Sequence, residues 1–196
     1  MIILFFVTFI LLVVIFIFAS PKLSPIPYFP SNYDDLLLII KALNLQNNQT
    51  IIDLGAGDGI VIFKAAQQAL NKNLNTNFIA IDINPILILI LHIRPLFHPN
   101  RKNIKIVFDD FFKMNLNSLT HGPINSATTS NVAEAMKQFS NLTIYLYISP
   151  WLLEKTLSII KKTPGKKNIV SYFYPIKSLK PKTHVNGVHN LYTYSV

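Results

Sequence analysis

The stretch IIDLGAGDGIVIFKAA, residues 51–66, constrains the fold more than any other part of the chain. It opens as a short apolar run of the kind that forms a strand buried on both faces. Glycines follow at positions 55, 57 and 59, and a helix-forming stretch comes directly after them. Gly55 and Gly57 let the backbone turn sharply and let a ligand approach where a Cβ would clash. A turn that ends a strand and opens a helix lies in the usual ligand crevice of an open α/β sheet. The spacing is G-x-G-x-G, not the G-x-G-x-x-G of dinucleotide binders, and Asp53 stands two residues before it. A carboxylate there suits a cationic ligand group better than a pyrophosphate. A plain strand–helix turn would need the glycines but not the acid.

The rest of the chain alternates in the same way. Residues 50–54, 77–81, 104–108, 142–148 and 168–174 read as strands, the second ending at Asp82. Residues 34–43, 58–70, 85–93 and 150–162 read as helices. Ser31 or Asn32 is expected to cap the first of these, and Pro85 lies in the first turn of the third. Residues 184–196 suggest a hairpin around Asn186 and Gly187. Residues 114–141 form a long polar loop, with a helical turn or two expected at 132–139. The fold class is therefore α/β, a mostly parallel sheet covered by helices on both faces and closed by an antiparallel hairpin.

The acids are sparse and concentrated. The chain has nine Asp and Glu against eighteen Lys and Arg. Asp53, Asp58, Asp82, Asp109 and Asp110 all fall at the carboxyl ends of the first three strands. Asp82 is placed to accept from both hydroxyls of a ribose, although a helix cap before Asn84 and Pro85 is the competing reading. Asp110 is placed to accept from an adenine amine while Phe111 packs near the ring, against the alternative of a simple turn. Together they imply one ligand that is cationic at one end and carries a ribose.

The amino terminus is of another character. MIILFFVTFILLVVIFIFA is apolar except for Thr8 and carries no charge. About 20 such residues, at roughly 1.5 Å each, span the hydrocarbon core of a bilayer. A cleaved signal peptide is the alternative, but no Lys or Arg precedes the run and it exceeds a signal's usual apolar length. Residues 1–20 are thus expected to be a retained single-pass anchor, and 21–31, with four prolines, a linker before a domain at 32–196. Every Lys and Arg follows the anchor, which places the domain on the cytoplasmic side.

The net charge of +9 fits attraction to an anionic leaflet or simple compositional drift. The basic residues are scattered, with no basic helix or aromatic-interleaved stripe, so no nucleic-acid partner is expected. The chain has no cysteine, and its five histidines (92, 98, 121, 184 and 189) lack ligand spacing, so no metal is expected.

These residues resemble the class I S-adenosylmethionine-dependent methyltransferases over roughly residues 51–196. Pro27-Tyr28-Phe29-Pro30-Ser31 is similar to the P-Y-x-P-[ST] signature of a narrower group. That group contains an archaeal broad-specificity protein lysine methyltransferase and the mitochondrial lysine methyltransferase that acts on the c-ring protein of the ATP synthase. Further likeness lies in Asp110-Phe111-Phe112, in Ser149-Pro150 before a leucine-rich helix, and in residues 170–174 with Lys180-Pro181. Leu179 stands where the group commonly has tryptophan, and the loop at 114–141 is longer; both touch the acceptor side.

The resemblance implies a Rossmann-like seven-stranded methyltransferase sheet with S-adenosyl-L-methionine as cofactor. It implies that Asp53, Gly55, Ala56 and Gly57 hold the methionine part, Asp82 the ribose, and Asp110 with Phe111 the adenine. Tyr28, Pro30 and Ser31 would close over the cofactor and line the acceptor channel, with Tyr172, Phe173 and Trp151 as further channel candidates whose alternative is core packing. The expected function is a membrane-anchored protein-lysine N-methyltransferase acting on membrane or membrane-proximal proteins. A lipid or quinone methyltransferase and a tethered non-catalytic binding domain are the alternatives. Adenine amino-methylation would want [ND]-P-P-[YF] after the fourth strand, where this chain has Ile148-Ser149-Pro150-Trp151. If the boundary is right, deleting residues 1–20 yields a soluble domain that still binds the cofactor. Calorimetry on that fragment checks it, and a fragment that cannot fold would put the anchor inside the core.

Overall fold

The computed structural model describes residues 1–20, 22–23, 28–114, 116 and 141–196. The helical turn expected at 132–139 and Pro27 of the signature lie outside the described residues. Among the described residues, seven strands form one sheet in the order β3-β2-β1-β4-β5-β7-β6. They are β1 (Thr50–Leu54), β2 (Asn77–Asp82), β3 (Ile104–Phe108), β4 (Leu142–Leu146), β5 (Lys167–Tyr172), β6 (Thr183–Asn186) and β7 (Asn190–Ser195). The first five run parallel, and β7 enters antiparallel between β5 and β6. The chain moves outward from β1 to β3 and then returns to the other side of β1 as β4. This reversal opens a crevice at the carboxyl ends of β1 and β4.

Strand composition explains the layering. β1 and β4 are buried at every position, as expected of central parallel strands. Successive residues face opposite layers, so Ile51 packs with α2 (Leu36–Leu43), α3 (Ile60–Asn71) and α4 (Pro85–Ile93), while Ile52 packs with α5 (Leu153–Lys162). Asn84 caps α4, its Oδ1 accepting from Ile86 N at 2.9 Å, with Pro85 in the first turn. α1 (Ile2–Ala19) has no buried residue and is long and apolar enough to cross a membrane.

α2 begins later than its sequence suggests. Asn32 accepts from Asp34 N at 2.9 Å and forms a turn, and the helix starts at Leu36. Ser31 does not cap it. Asp35 stands at the helix start, but its carboxylate turns away to the far end of the sheet. It accepts from the Tyr172 hydroxyl at 2.7 Å, Val188 N at 2.7 Å and His189 N at 2.9 Å. A Cβ on Gly187 would collide with this carboxylate, so the hairpin loop admits only glycine there. Burial alone would raise the Asp35 pKa, but the Tyr172, His189 and Val188 donors outweigh it and hold the group below its ordinary value.

A lowered carboxylate pKa contributes stability above its unfolded value, and that stability is lost as pH falls through the folded one. Asp35→Ala would leave buried donors unpaired at a cost of about 3 kcal/mol. The variant should melt about 6–12 °C below the parent near neutral pH. The gap should close in acid, which thermal unfolding in detergent across pH checks.

Candidate functional site

Three successive N–H groups tie the glycine turn to the end of β2. Gly55 and Ala56 donate to the Ile81 carbonyl at 2.9 and 2.8 Å, and Gly57 donates to Asp82 Oδ2 at 2.8 Å. Gly55 and Gly57 hold φ of +81° and +60°, in the left-handed region that side chains disfavour. Space also dictates glycine at 57, where a Cβ would lie 2.7 Å from Tyr28 Cε2. Tyr28 reaches this position from the segment before α2, so its ring lies over the turn.

Two adjoining cavities meet beneath that ring. A cleft of about 600 Å³ is lined by Gly55, Gly57, Asp82, Asn84, Asp110 and Phe111. A smaller cavity of about 270 Å³ is lined by Pro30, Ser31, Asp53, Ala56, Asp58 and Tyr145. Tyr28 and Tyr147 border both. All ten residues singled out in the sequence therefore line one cavity or the other.

The acids differ in their surroundings. Asp53 is buried in β1, beside Ala80 of β2 and Tyr145 of β4. Burial, with the Asp82 and Asp58 charges added, pushes its pKa well above the carboxylate range. Burial also raises Asp82, against N–H donors from Asn84, Gly57 and Ile83. Asp58 pairs with Arg94 at 2.9 Å. Asp110 accepts from Phe112 N at 3.0 Å and pairs with Lys113 at 3.3 Å. Asp109 is exposed, with its Oδ1 accepting from Asp110 N, and it lines neither cavity.

The walls offer neutral hydroxyls. Burial, then the Asp58 carboxylate, pushes the Tyr28 phenol up to about 12. Burial, then Asp53, raises the Tyr145 phenol well above its ordinary value. Tyr145 shares a 2.9 Å hydrogen bond with Ser31, which joins the proline-rich segment to the floor of the sheet.

Three channel candidates lie elsewhere. Tyr172 is buried and bonded to Asp35, so it belongs to the core. Trp151 is 75% exposed and lines neither cavity. Phe173 is partly buried beside Tyr147, with ring centroids 6.4 Å apart, and it too stays outside both.

Sequence reasoning missed Tyr145, Tyr147 and Asn84 as site residues. The tyrosines occur two apart in LTIYLYI, the spacing that puts both on one face of a strand. Asn84 does more than cap α4: its Nδ2 is buried with no partner among the described residues, and the residue borders the cleft.

Asp53 titrates higher in the folded chain than in the unfolded one. The folded state therefore holds an extra proton between those two values, and stability falls as pH rises through that window. Asp53→Asn removes this cost. Its melting temperature should exceed the parent's by a few degrees at about pH 8 and approach it near pH 4, as thermal unfolding at both would read.

The family model described as Ribosomal RNA adenine dimethylase matches residues 32–173. The lysine N-methyltransferase of Caenorhabditis elegans that acts on the c-ring protein of the ATP synthase is 29% identical over 108 residues, covering 51% of this chain and 54% of that protein. The chain thus spans about half the length of this curated relative. An RNA methyltransferase from Salinibacter ruber, solved with S-adenosyl-L-homocysteine, shares the fold with a TM-score of 0.63 at 16% identity. That likeness covers 85% of this chain and 93% of the other. M. capricolum TrmK with S-adenosyl-homocysteine gives a TM-score of 0.50 at 15% identity, over 81% of this chain and 66% of that one. With the family match spanning α2 to the end of β5, the chain belongs to the family described as Ribosomal RNA adenine dimethylase and is a class I S-adenosylmethionine-dependent methyltransferase.

Proposed function

We propose that the chain is a membrane-anchored protein-lysine N-methyltransferase. The observation that carries this reading is the seat of residues 28–31, with Tyr28 over Gly57 and Ser31 bonded to Tyr145. These belong to the P-Y-x-P-S stretch that the chain shares with lysine methyltransferases. The likeness to the Caenorhabditis elegans protein supports it from a second direction.

The cleft suits the cofactor. Its volume of about 600 Å³ is that of a small-molecule pocket. Asp53 has its charged form penalised by burial, so a cationic amine entering beside it would restore the charge. Each Asp82 oxygen already accepts one N–H and keeps a lone pair for a ribose hydroxyl. Asn84 Nδ2 offers an unused donor at the same wall. Asp110 and Phe111 stand where an adenine would lie.

When bound, S-adenosyl-L-methionine supplies an electrophilic methyl carbon, leaving the protein to orient and desolvate. Tyr28, Pro30 and Ser31 form one wall of the smaller cavity and Tyr145 and Tyr147 another. Neutral phenols there exclude water without replacing its solvation of an ammonium. A lysine threaded between them would have its pKa lowered and lose its proton to solvent more readily. Tyr28 would hold the amine in line with the methyl group.

RNA adenine methylation is the second reading, favoured by the description of the matching family. Against it, Ser149 stands where an amide would hold the base amine, and Trp151 is exposed outside the cleft.

The full chain, incubated with native membranes, ribosomal RNA and methyl-labelled cofactor, separates these readings. Label recovered as methyl-lysine after hydrolysis is the expected result. Label confined to RNA or to the organic extract would overturn it. Asp53→Asn should weaken cofactor affinity about 10- to 100-fold, the worth of one charged hydrogen bond, as calorimetry would read.

A further inference from the structure

One surface of the domain remains unexplained by fold or site. α4 buries Leu87, Ile88 and Leu91 against the sheet. Its other side, with the 3₁₀ turn Arg94–Phe97 that follows, presents Leu89, Ile93, Leu96 and Phe97 at 60, 50, 61 and 88% exposure. These four fall at i, i+4, i+7 and i+8, a continuous stripe along one face. Exposed apolar stripes of this kind mark contact surfaces.

Two observations name what covers it. First, α1 meets the domain at α4, and the partly covered residues of α1 (Val14, Ile17 and Phe18) lie toward its carboxyl end. The stripe stays exposed with α1 in place, so α1 is not its cover. A helix that crosses a bilayer and ends beside α4 holds this face at the bilayer surface. Second, the charge matches. Residues 85–108 contain Arg94, Arg101, Lys102 and Lys105 and no Asp or Glu. Arg94 is taken up by Asp58, but Arg101, Lys102 and Lys105 are exposed. An apolar stripe flanked by basic side chains and free of acids is the composition of an interfacial helix on an anionic membrane.

We propose that the α4–Phe97 face docks onto an anionic bilayer surface, with Leu89, Ile93, Leu96 and Phe97 in the headgroup boundary and Arg101, Lys102 and Lys105 over the lipid phosphates. The inference rests on α1 being a retained anchor. Docking would fix the orientation of the cleft relative to the membrane, where a tether alone would leave it free to turn.

The test uses the full chain in vesicles of phosphatidylcholine and phosphatidylserine with brominated acyl chains. The single native tryptophan is removed as Trp151→Phe, and Phe97→Trp or Phe9→Trp is added in turn. Phe97 is exposed, so its replacement spares the core. Quenching of at least ~2-fold is expected at position 97 from shallow bromines and at position 9 from deep ones. Arg101→Glu with Lys102→Glu should reduce the quenching at 97 and leave that at 9 unchanged. Quenching at 9 without quenching at 97 overturns docking and leaves the anchor standing. No quenching at either overturns both. Shielding at 97 that rises with protein-to-lipid ratio and is indifferent to bromine would mean a second copy covers the face, which also overturns the proposal.

Discussion

Asp53 carries a carboxylate into the middle of the sheet, between Ala80 and Tyr145, where water is excluded and two further carboxylates stand nearby. Most of what surrounds it can be read as a response to that burden. The strand order reverses beside it, so no helix covers the carboxyl ends of β1 and β4. The glycine turn follows two residues later, and its N–H groups engage the end of β2 and Asp82. Residues 28–31 then roof the opening with Tyr28 and Ser31. A fold seeking stability alone would put an apolar residue at this position. A methyltransferase of this class binds a sulfonium amino acid, and a buried acid without a cation is a site prepared for one.

The roof itself depends on distant residues. Asp35 binds the segment that follows Ser31 to Tyr172 and to the loop of the closing hairpin. The last two strands therefore brace the wall of the smaller cavity, although no residue of theirs lines it. Gly187 is required by that brace rather than by the turn's own conformation.

Much of this was legible in the chain before any coordinates. β1, α4 and β3 begin and end where their apolar runs do, because those boundaries are set by local signals: glycines after Leu54, Asn84-Pro85 before α4, acids after Phe108. The ten candidate residues come together because the strand ends they occupy are brought together by topology. What could not be read was long-range partner choice. Asp35 looks like any helix-start acid until the hairpin arrives 153 residues later. Tyr172 and Trp151 both look like channel aromatics, but one is claimed by Asp35 and the other by solvent. Tyr145 looks like strand filling until Ser31 reaches it. The late start of α2 has the same origin: Asn32 spends its side chain on a turn that aims Ser31 at the sheet.

The short connection between Ser20 and Tyr28 has a geometric consequence. Eight residue steps, even fully drawn out, extend no more than about 28 Å. With α1 as an anchor, Tyr28 can never stray farther than this from the end of the helix. Acceptors would be sampled from a thin shell above the lipid, and their density per unit area, not their bulk concentration, would govern turnover. A soluble protein whose target side chain stood outside that shell would escape modification however well it fitted the cavity.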